Sequence, residues 1–511
     1  MSSSKSQERR SKDNAGKNRA AEIANTFEGL ITALILAFLV RAFLIEAFRI
    51  PTGSMADTLK GAHFRLCCPQ CGYKYSYGLG NFGFPQDTIP RGPIKSVHSR
   101  CPSCGYYQPT GGRMPIAYGD RILVLKCIYQ FFEPRRWDVI VFKDPLDPTI
   151  NYIKRLVGLP EEEVEIIDGD IYIDGKIKRK PPKVQNGLWM PVYNNDYRPV
   201  RPRESRSFNG HLWEQPFKNV AGSKWETSTD NPTVFRLDCP ADQVNIMVYD
   251  TKMGNNFRAT YAYDDVNRYK LMPYCSDLMV RLCTNAVEPE GLMGIEMSKY
   301  ETNYKAWVDF TGEMLIEAVK DNEAEELVRE SIEPPAMNKP VLVKFANVDH
   351  QLIFQFGSEK LTYDLGDGPD DTGERMTDIE PKVKIFGSGK LTLSHVAIFR
   401  DIHYTTLQLT SSRESARAME GRPFILKKDE FFVLGDNTPS SLDSRWWDRP
   451  GLGNNGQEYR EGIVPRDFLV GKALFVYWPS GFKPFAKFPL AIIPNVGGMR
   501  FIYGGSSRID K

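Results

Sequence analysis

The pattern of apolar and polar positions changes three times along the chain. Residues 1–20 are rich in Ser, Lys and Arg and nearly devoid of apolar side chains, a composition that cannot bury enough surface to fold and predicts disorder over 1–22. Residues 29–40 then run without a charge, and 42–45 and 47–48 prolong the run across Arg41 and Glu46. The charge-free part is shorter than the roughly 20 residues of a full span, but Arg41 can snorkel to an interface and lengthen it. We therefore expect a transmembrane helix over 23–48. Lys5, Arg9, Arg10, Lys12, Lys17 and Arg19 precede it, which puts the N-terminus in the cytoplasm and the rest on the exported side. A cleaved signal peptide is the first alternative, although no small-x-small site directly follows the apolar core. A buried helix of a soluble domain is the second.

From residue 118 the period drops to two. Runs at 119–126, 136–142, 151–160 and 164–175 alternate β-branched with polar residues, and Asp168-Gly169 and Asp174-Gly175 supply turns, which reads as antiparallel hairpins. A Pro- and Trp-rich stretch at 181–220 shows no period and is expected to be irregular. Short apolar runs then recur at 234–237, 244–249, 257–263, 278–282, 305–310, 314–319, 341–345, 351–356 and 391–395. Their spacing predicts a β-sandwich of jelly-roll type. Residues 431–447 take an apolar strand into a polar turn, and 463–479 form a closing strand. Prolines in the tail exclude a second spanning helix there but allow contact with a membrane surface. The fold class is thus mainly β.

Composition narrows the functions. A chain of 511 residues exceeds one ordinary core, so two to four domains are expected. A formal net charge of +2 gives no reason to expect nucleic acid as partner. Nine Cys are too few for a disulfide scaffold, and the six His form no HExxH or H-x-H pattern, which leaves a His triad or catalytic metal without support.

Three stretches carry chemistry. Cys68-Pro-Gln-Cys71-Gly and Cys101-Pro-Ser-Cys104-Gly are paired knuckles. Four thiolates turned to one point make a closed tetrahedral zinc site, and the poorly apolar sequence between them would owe its fold to the metal. Two disulfides are the alternative that an exported location permits. No dense basic face accompanies the knuckles, so the role is structural. Ser54, between Gly53 and Met55 after Pro51, is either a turn residue or a nucleophile. Lys154, flanked by Ile153 and Leu156, is either a snorkelling strand lysine or a desolvated base.

Ile50-Pro-Thr-Gly-Ser-Met-Ala-Asp-Thr-Leu59, Gly119-Asp-Arg-Ile122, Tyr152 to Pro160 and Gly435 to Trp447 occur in the order of the boxes of bacterial type I signal peptidases, which the chain resembles over roughly a third of its length. The resemblance implies a Ser–Lys dyad with Ser54 as nucleophile and Lys154 as general base, working without a cofactor. It also implies that Ser444 orients Lys154, that Asp443 and Arg445 form a supporting pair, and that Thr52 adds a hydroxyl to the oxyanion hole. The substrate would be an exported preprotein cut at an A-x-A-like site, docked as an added strand near Met55, Asn151, Tyr152 and Ile153. The partners would be preproteins and the lipid bilayer, with the enzyme single-pass in the inner (plasma) membrane. Asp57 stands where the family has Pro. Residues 339–364 loosely resemble late strands of concanavalin- or laminin-G-like sandwiches, which bind glycans or protein or merely pack.

The expected organisation is a basic tail (1–22), the helix (23–48), catalytic parts at 49–61, 118–180 and 421–485, a zinc-ribbon insertion (62–117), an irregular segment plus sandwich insertion (181–420) and a tail (486–511). A catalytically silent membrane-tethered adaptor and a zinc-dependent nucleic-acid binder are the competing readings. The intact dyad opposes the first, and the export signal and near-neutral charge oppose the second.

Overall fold

The computed structural model describes residues 25–79, 94–112, 114, 116–200, 208, 210–227, 233–264, 271–368, 379–406, 416–453, 456–481 and 493–505. The basic tail lies outside these, as do residues 486–492 and 506–511 of the C-terminal tail. Residues 25–39 are α-helical and Val40–Leu44 add one π-helical turn. The helix ends there, short of the expected residue 48. At Ile45 the backbone becomes extended, and Ile45–Arg49 (β1) pairs with Arg121–Leu125 (β2). The physical reason is local: Lys126 N donates to Leu44 O at 2.9 Å and Lys126 pairs with Glu46 at 3.1 Å, so the polar break in the apolar run joins a sheet. Among the described residues no helix is long and apolar enough to cross a membrane. Leu30, Ile31, Leu34, Ile35, Leu36 and Phe38 are nonetheless all exposed, an apolar surface that water does not favour.

The first sheet adds Val139–Lys143 (β3), Asn151–Gly158 (β4), Glu430–Leu434 (β5), Val464–Pro465 (β6), Leu469–Trp478 (β7) and Arg500–Phe501 (β8). Its order is β1-β2-β7-β3-β4-β5-β6, with β8 on β7. Strands far apart in sequence are therefore neighbours. Alternation along β3 covers both faces: Val139 and Val141 join Ile50, Met55, Leu59 and Ile153, whereas Ile140 and Phe142 join Leu156, Phe431, Val433 and Trp447. A separate four-stranded sheet holds Glu163–Ile167, Asp170–Ile173, Lys176–Ile177 and Phe424–Ile425.

Two seven-stranded antiparallel sheets share a second core. One contains Leu278–Ala286, Val341–Val348, Gln351–Phe356 and Lys390–Arg400; the other contains Asn245–Tyr249, Leu292–Lys299, Thr302–Asp309 and Val383–Gly387. Val280, Phe345, Phe354 and Ile398 from the first meet Met247, Ile295, Val308 and Ile385 from the second. Two expectations are corrected. The 181–220 stretch is not wholly irregular: it forms the helix Pro182–Leu188 and lends Met190–Asn194 and Phe217–Asn219 to the two sheets. Conversely, 257–263 forms no strand, because it is wedged between other segments, with Ala259 N bonded to Pro273 O and Cys275 N to Phe257 O.

Candidate functional site

Ile50, Met55 and Leu59 are buried side by side in the first core and pin the loop that carries Ser54. Ile50 N donates to Asp120 O at 2.8 Å and Leu59 N to Met55 O at 2.7 Å, which fixes both ends. Gly53 is required where it stands: a Cβ there would lie 2.2 Å from Cε1 of Tyr263. Met55 is wholly buried, so this expected docking residue is core and not contact surface.

Lys154 enters from β4, paired with Ile140 of β3. Its Nζ lies 2.8 Å from Ser54 Oγ and 3.2 Å from Ile153 O. Among the described residues it forms no ion pair. Burial therefore dominates and pushes its pKa down to about 8, against the opposing pull of Asp443 and Asp436. Those two carboxylates are committed elsewhere. Asp443 takes Arg445 Nε at 2.9 Å and Nη2 at 2.7 Å, and Asp436 takes Arg155 Nε at 2.7 Å and Nη2 at 2.6 Å, with all four groups fully buried. Paired forks of this kind leave the carboxylates at a distance where they tune Lys154 without capturing it.

Thr52 Oγ1 lies 3.4 Å from Ser54 Oγ, on the loop's own turn. Ser444 makes no hydrogen bond to Lys154 among the described residues. Its Oγ accepts Val433 N at 3.0 Å and its N donates to Val433 O, which ties the polar turn to β5. On β4, β5 pairs only from Arg155 to Gly158, so Asn151 to Lys154 have β3 as their single ladder neighbour. Asn151 is exposed, Tyr152 half-buried and Ile153 nearly buried.

Sequence reasoning missed two contributions. Arg155–Asp436 was visible only as residues adjacent to Lys154 and inside the Gly435 box. Tyr263 and Asp264 come from the section between residues 181 and 420. Tyr263 packs on Gly53 and Gly78 and receives Gly78 N at its carbonyl. Asp264 Oδ1 accepts Asn437 Nδ2 at 3.0 Å, and Asn437 N donates to Ser54 O at 3.0 Å. No local sequence signal joins 263–264 to Ser54.

The four knuckle cysteines also converge. Their sulfurs lie within 4.8 Å of one another, with Cys68–Cys104 and Cys71–Cys101 at 3.6 Å. Each knuckle repeats the same bonds: Gly72 N to Cys68 O and Gly105 N to Cys101 O, with both glycines at positive φ, +76° and +77°. The sulfurs are not at disulfide distance. Tetrahedral zinc with 2.3 Å bonds separates its sulfurs by about 3.8 Å, so the donor set and spacing fit that ion. Neighbouring thiols push Cys104 up and burial pushes Cys101 up, whereas hydrogen bonds from Cys101, Cys104 and Cys71 hold Cys68 down.

With this geometry in place, residues 104–205 and 390–478 match the family model described as signal peptidase, peptidase S26. The match includes Lys154 and the Asp436–Arg445 turn but begins after Ser54. In these segments the chain resembles type I signal peptidases. Signal peptidase I of Rickettsia massiliae (strain Mtu5) is 29% identical over 168 residues, 33% of this chain and 49% of that protein. That of Rickettsia bellii (strain OSU 85-389) is 29% identical over 185 residues, 36% of this chain and 50% of that protein. The chain thus spans about half the length of the curated relatives it matches. Among solved structures, sheep galectin-11 in complex with glycerol aligns at 12% identity over 25% of this chain and 92% of that chain, with a TM-score of 0.19, too slight a likeness to assign the sandwich a fold.

Proposed function

We propose that the chain is a serine endopeptidase that removes signal peptides from exported preproteins at A-x-A-like sites through a Ser54–Lys154 dyad. The observation that carries this is the 2.8 Å contact between Lys154 Nζ and Ser54 Oγ, with the lysine buried and free of ion pairs among the described residues. Neutral Lys154 takes the Ser54 proton as Oγ attacks the scissile carbonyl. The resulting ammonium protonates the leaving amine, and neutral again, the lysine activates the water that cleaves the acyl-enzyme. Thr52 Oγ1 and the Ser54 amide stabilise the tetrahedral oxyanion. Asp443–Arg445 and Asp436–Arg155 hold the polar turn against β4, and Ser444 fastens that turn to β5. The substrate docks as a strand along Asn151 to Ile153, whose outer edge has room in the ladder.

The bare apolar helix at 25–39 supports a membrane anchor, with the N-terminus cytoplasmic and the catalytic sheet on the exported side of the plasma membrane. Cys68, Cys71, Cys101 and Cys104 hold a structural zinc that ties the two knuckles together when bound. The test is cleavage of a purified preprotein bearing an A-x-A site, with the cut mapped by mass spectrometry. Ser54→Ala and Lys154→Ala should each be inactive while retaining fold, and cleavage persisting in either refutes the dyad.

A further inference from the structure

Between the knuckles and the double-sheet core lies a cavity of about 210 Å³ that the dyad does not use. Its walls carry Lys60, Lys74, Arg100 and Arg400 against one acid, Asp57. Lys60 pairs loosely with Asp57 at 3.6 Å and bonds Ser76 at 3.1 Å. Lys74 is exposed at the rim. Arg400 donates only to the carbonyls of Asp401 and Thr260 and meets no carboxylate among the described residues.

Arg100 is the outlier. It is 94% buried by its 6% exposure, yet among the described residues its Nε and Nη2 have no hydrogen-bond partner. The Tyr107 ring, 5.6 Å from its guanidinium carbon, offsets part of the charge. A buried cation ordinarily has hydrogen bonds and a counter-charge, since leaving it without either is costly. Nearby, Asn255 donates to Cys101 O at 3.2 Å and Val192 O at 3.0 Å, which fixes its amide and leaves Oδ1 without a partner. Arg100 thus brings two buried guanidinium nitrogens with no partner among the described residues to a wall with an excess of positive charge, and the equally buried Oδ1 of Asn255 belongs to the same wall.

We propose that this cavity is a binding site for a small oxyanion, a phosphate or carboxylate group, with Arg100 as its main recognition side chain. The fork of a guanidinium matches two oxygens of either group, and Lys60 and Lys74 add long-range attraction. The site stands independently of the reaction at Ser54.

Isothermal titration of the zinc-loaded full chain in detergent tests the proposal, with inorganic phosphate and acetyl-aspartate amide as separate probes. Saturable binding of at least one is expected, weakening with added salt and at least tenfold weaker in Arg100→Gln. Binding of phosphate alone assigns a free or esterified phosphate, and binding of the aspartate probe alone assigns a carboxylate. Should Arg100→Gln fail to fold, Lys74→Glu at the exposed rim should weaken binding several-fold at unchanged zinc content. Binding of neither probe, or equal binding by every folded variant, overturns the site and leaves Arg100 as a counter-charge to the thiolates.

Discussion

Two buried lysine environments in this chain face opposite ways. Lys154, beside Ser54, is pushed down to about 8. Lys180 and Lys299 are just as buried but are held well above their ordinary value. Burial pulls all three down, so the difference lies in contact. Lys180 touches Asp349 and reaches Asp401 at 2.9 Å, and Lys299 reaches Asp277 at 2.7 Å. The two carboxylates that act most on Lys154, Asp443 and Asp436, are each already held by an arginine fork. A buried lysine becomes a base when its neighbouring acids are occupied, and a structural tie when they are not.

The largest effect that would break this comparison is at the dyad. Ser54→Ala and Lys154→Ala should each lower kcat/KM by roughly 10⁴-fold or more, as for other members of covalent catalytic units. Lys154→Arg should be equally inactive, because a guanidinium is not deprotonated near neutral pH. Significant turnover by the arginine variant would show that the lysine acts as a charge and not as a base.

The opposite half of the comparison predicts a stability loss with no catalytic loss. Lys180 follows the four-stranded sheet, whereas Asp277, Asp349 and Asp401 flank strands of the double-sheet core. Lys180→Met strands two buried carboxylates and should cost about 3–5 kcal/mol. Urea unfolding followed by tyrosine and tryptophan fluorescence measures it. Activity per folded molecule should be unchanged; a fall in that activity would mean the ion cluster shapes the dyad as well.

Thr52 comes next. Its hydroxyl stands 3.4 Å from Ser54 Oγ, and removal of one oxyanion donor costs about 10²–10³-fold in kcat. Thr52→Ala should show that loss in kcat with little change in KM, and Thr52→Ser should restore it. An equal loss in the serine variant would mean that the methyl, not the hydroxyl, matters.

How much of this was legible in the sequence follows from contact range. Each Cys knuckle is a five-residue turn whose glycine adopts positive φ, so its convergence could be read locally. Ser54 and Lys154 were recognisable because each sits in a compact box, although 100 residues separate them. Ser444 was assigned to Lys154 by resemblance, whereas the hydrogen bond its hydroxyl accepts comes from Val433 N. The end of the helix was misjudged because apolar residues 45 and 47–48 suit a strand as well as a helix, and only pairing with β2 decides between them. Tyr263 and Asp264 were out of reach. They approach Ser54 from about 200 residues away, in a run whose own pattern resembled a strand.

The finest test concerns the acids that surround Lys154. Asp144, near β4, raises the lysine's pKa from a distance and accepts Leu146 N at 3.0 Å. Asp144→Asn keeps that acceptor and removes the charge. Since the anion favours the ammonium, its loss must lower the Lys154 pKa further. The neutral base is the active form, so wild-type kcat/KM should rise with pH up to about 8 and level off. In Asp144→Asn the same limb should move to lower pH by a fraction of a unit, leaving the plateau nearly unchanged. A limb that moves to higher pH, or one that persists unshifted, would mean that the titrating group in the profile is not Lys154.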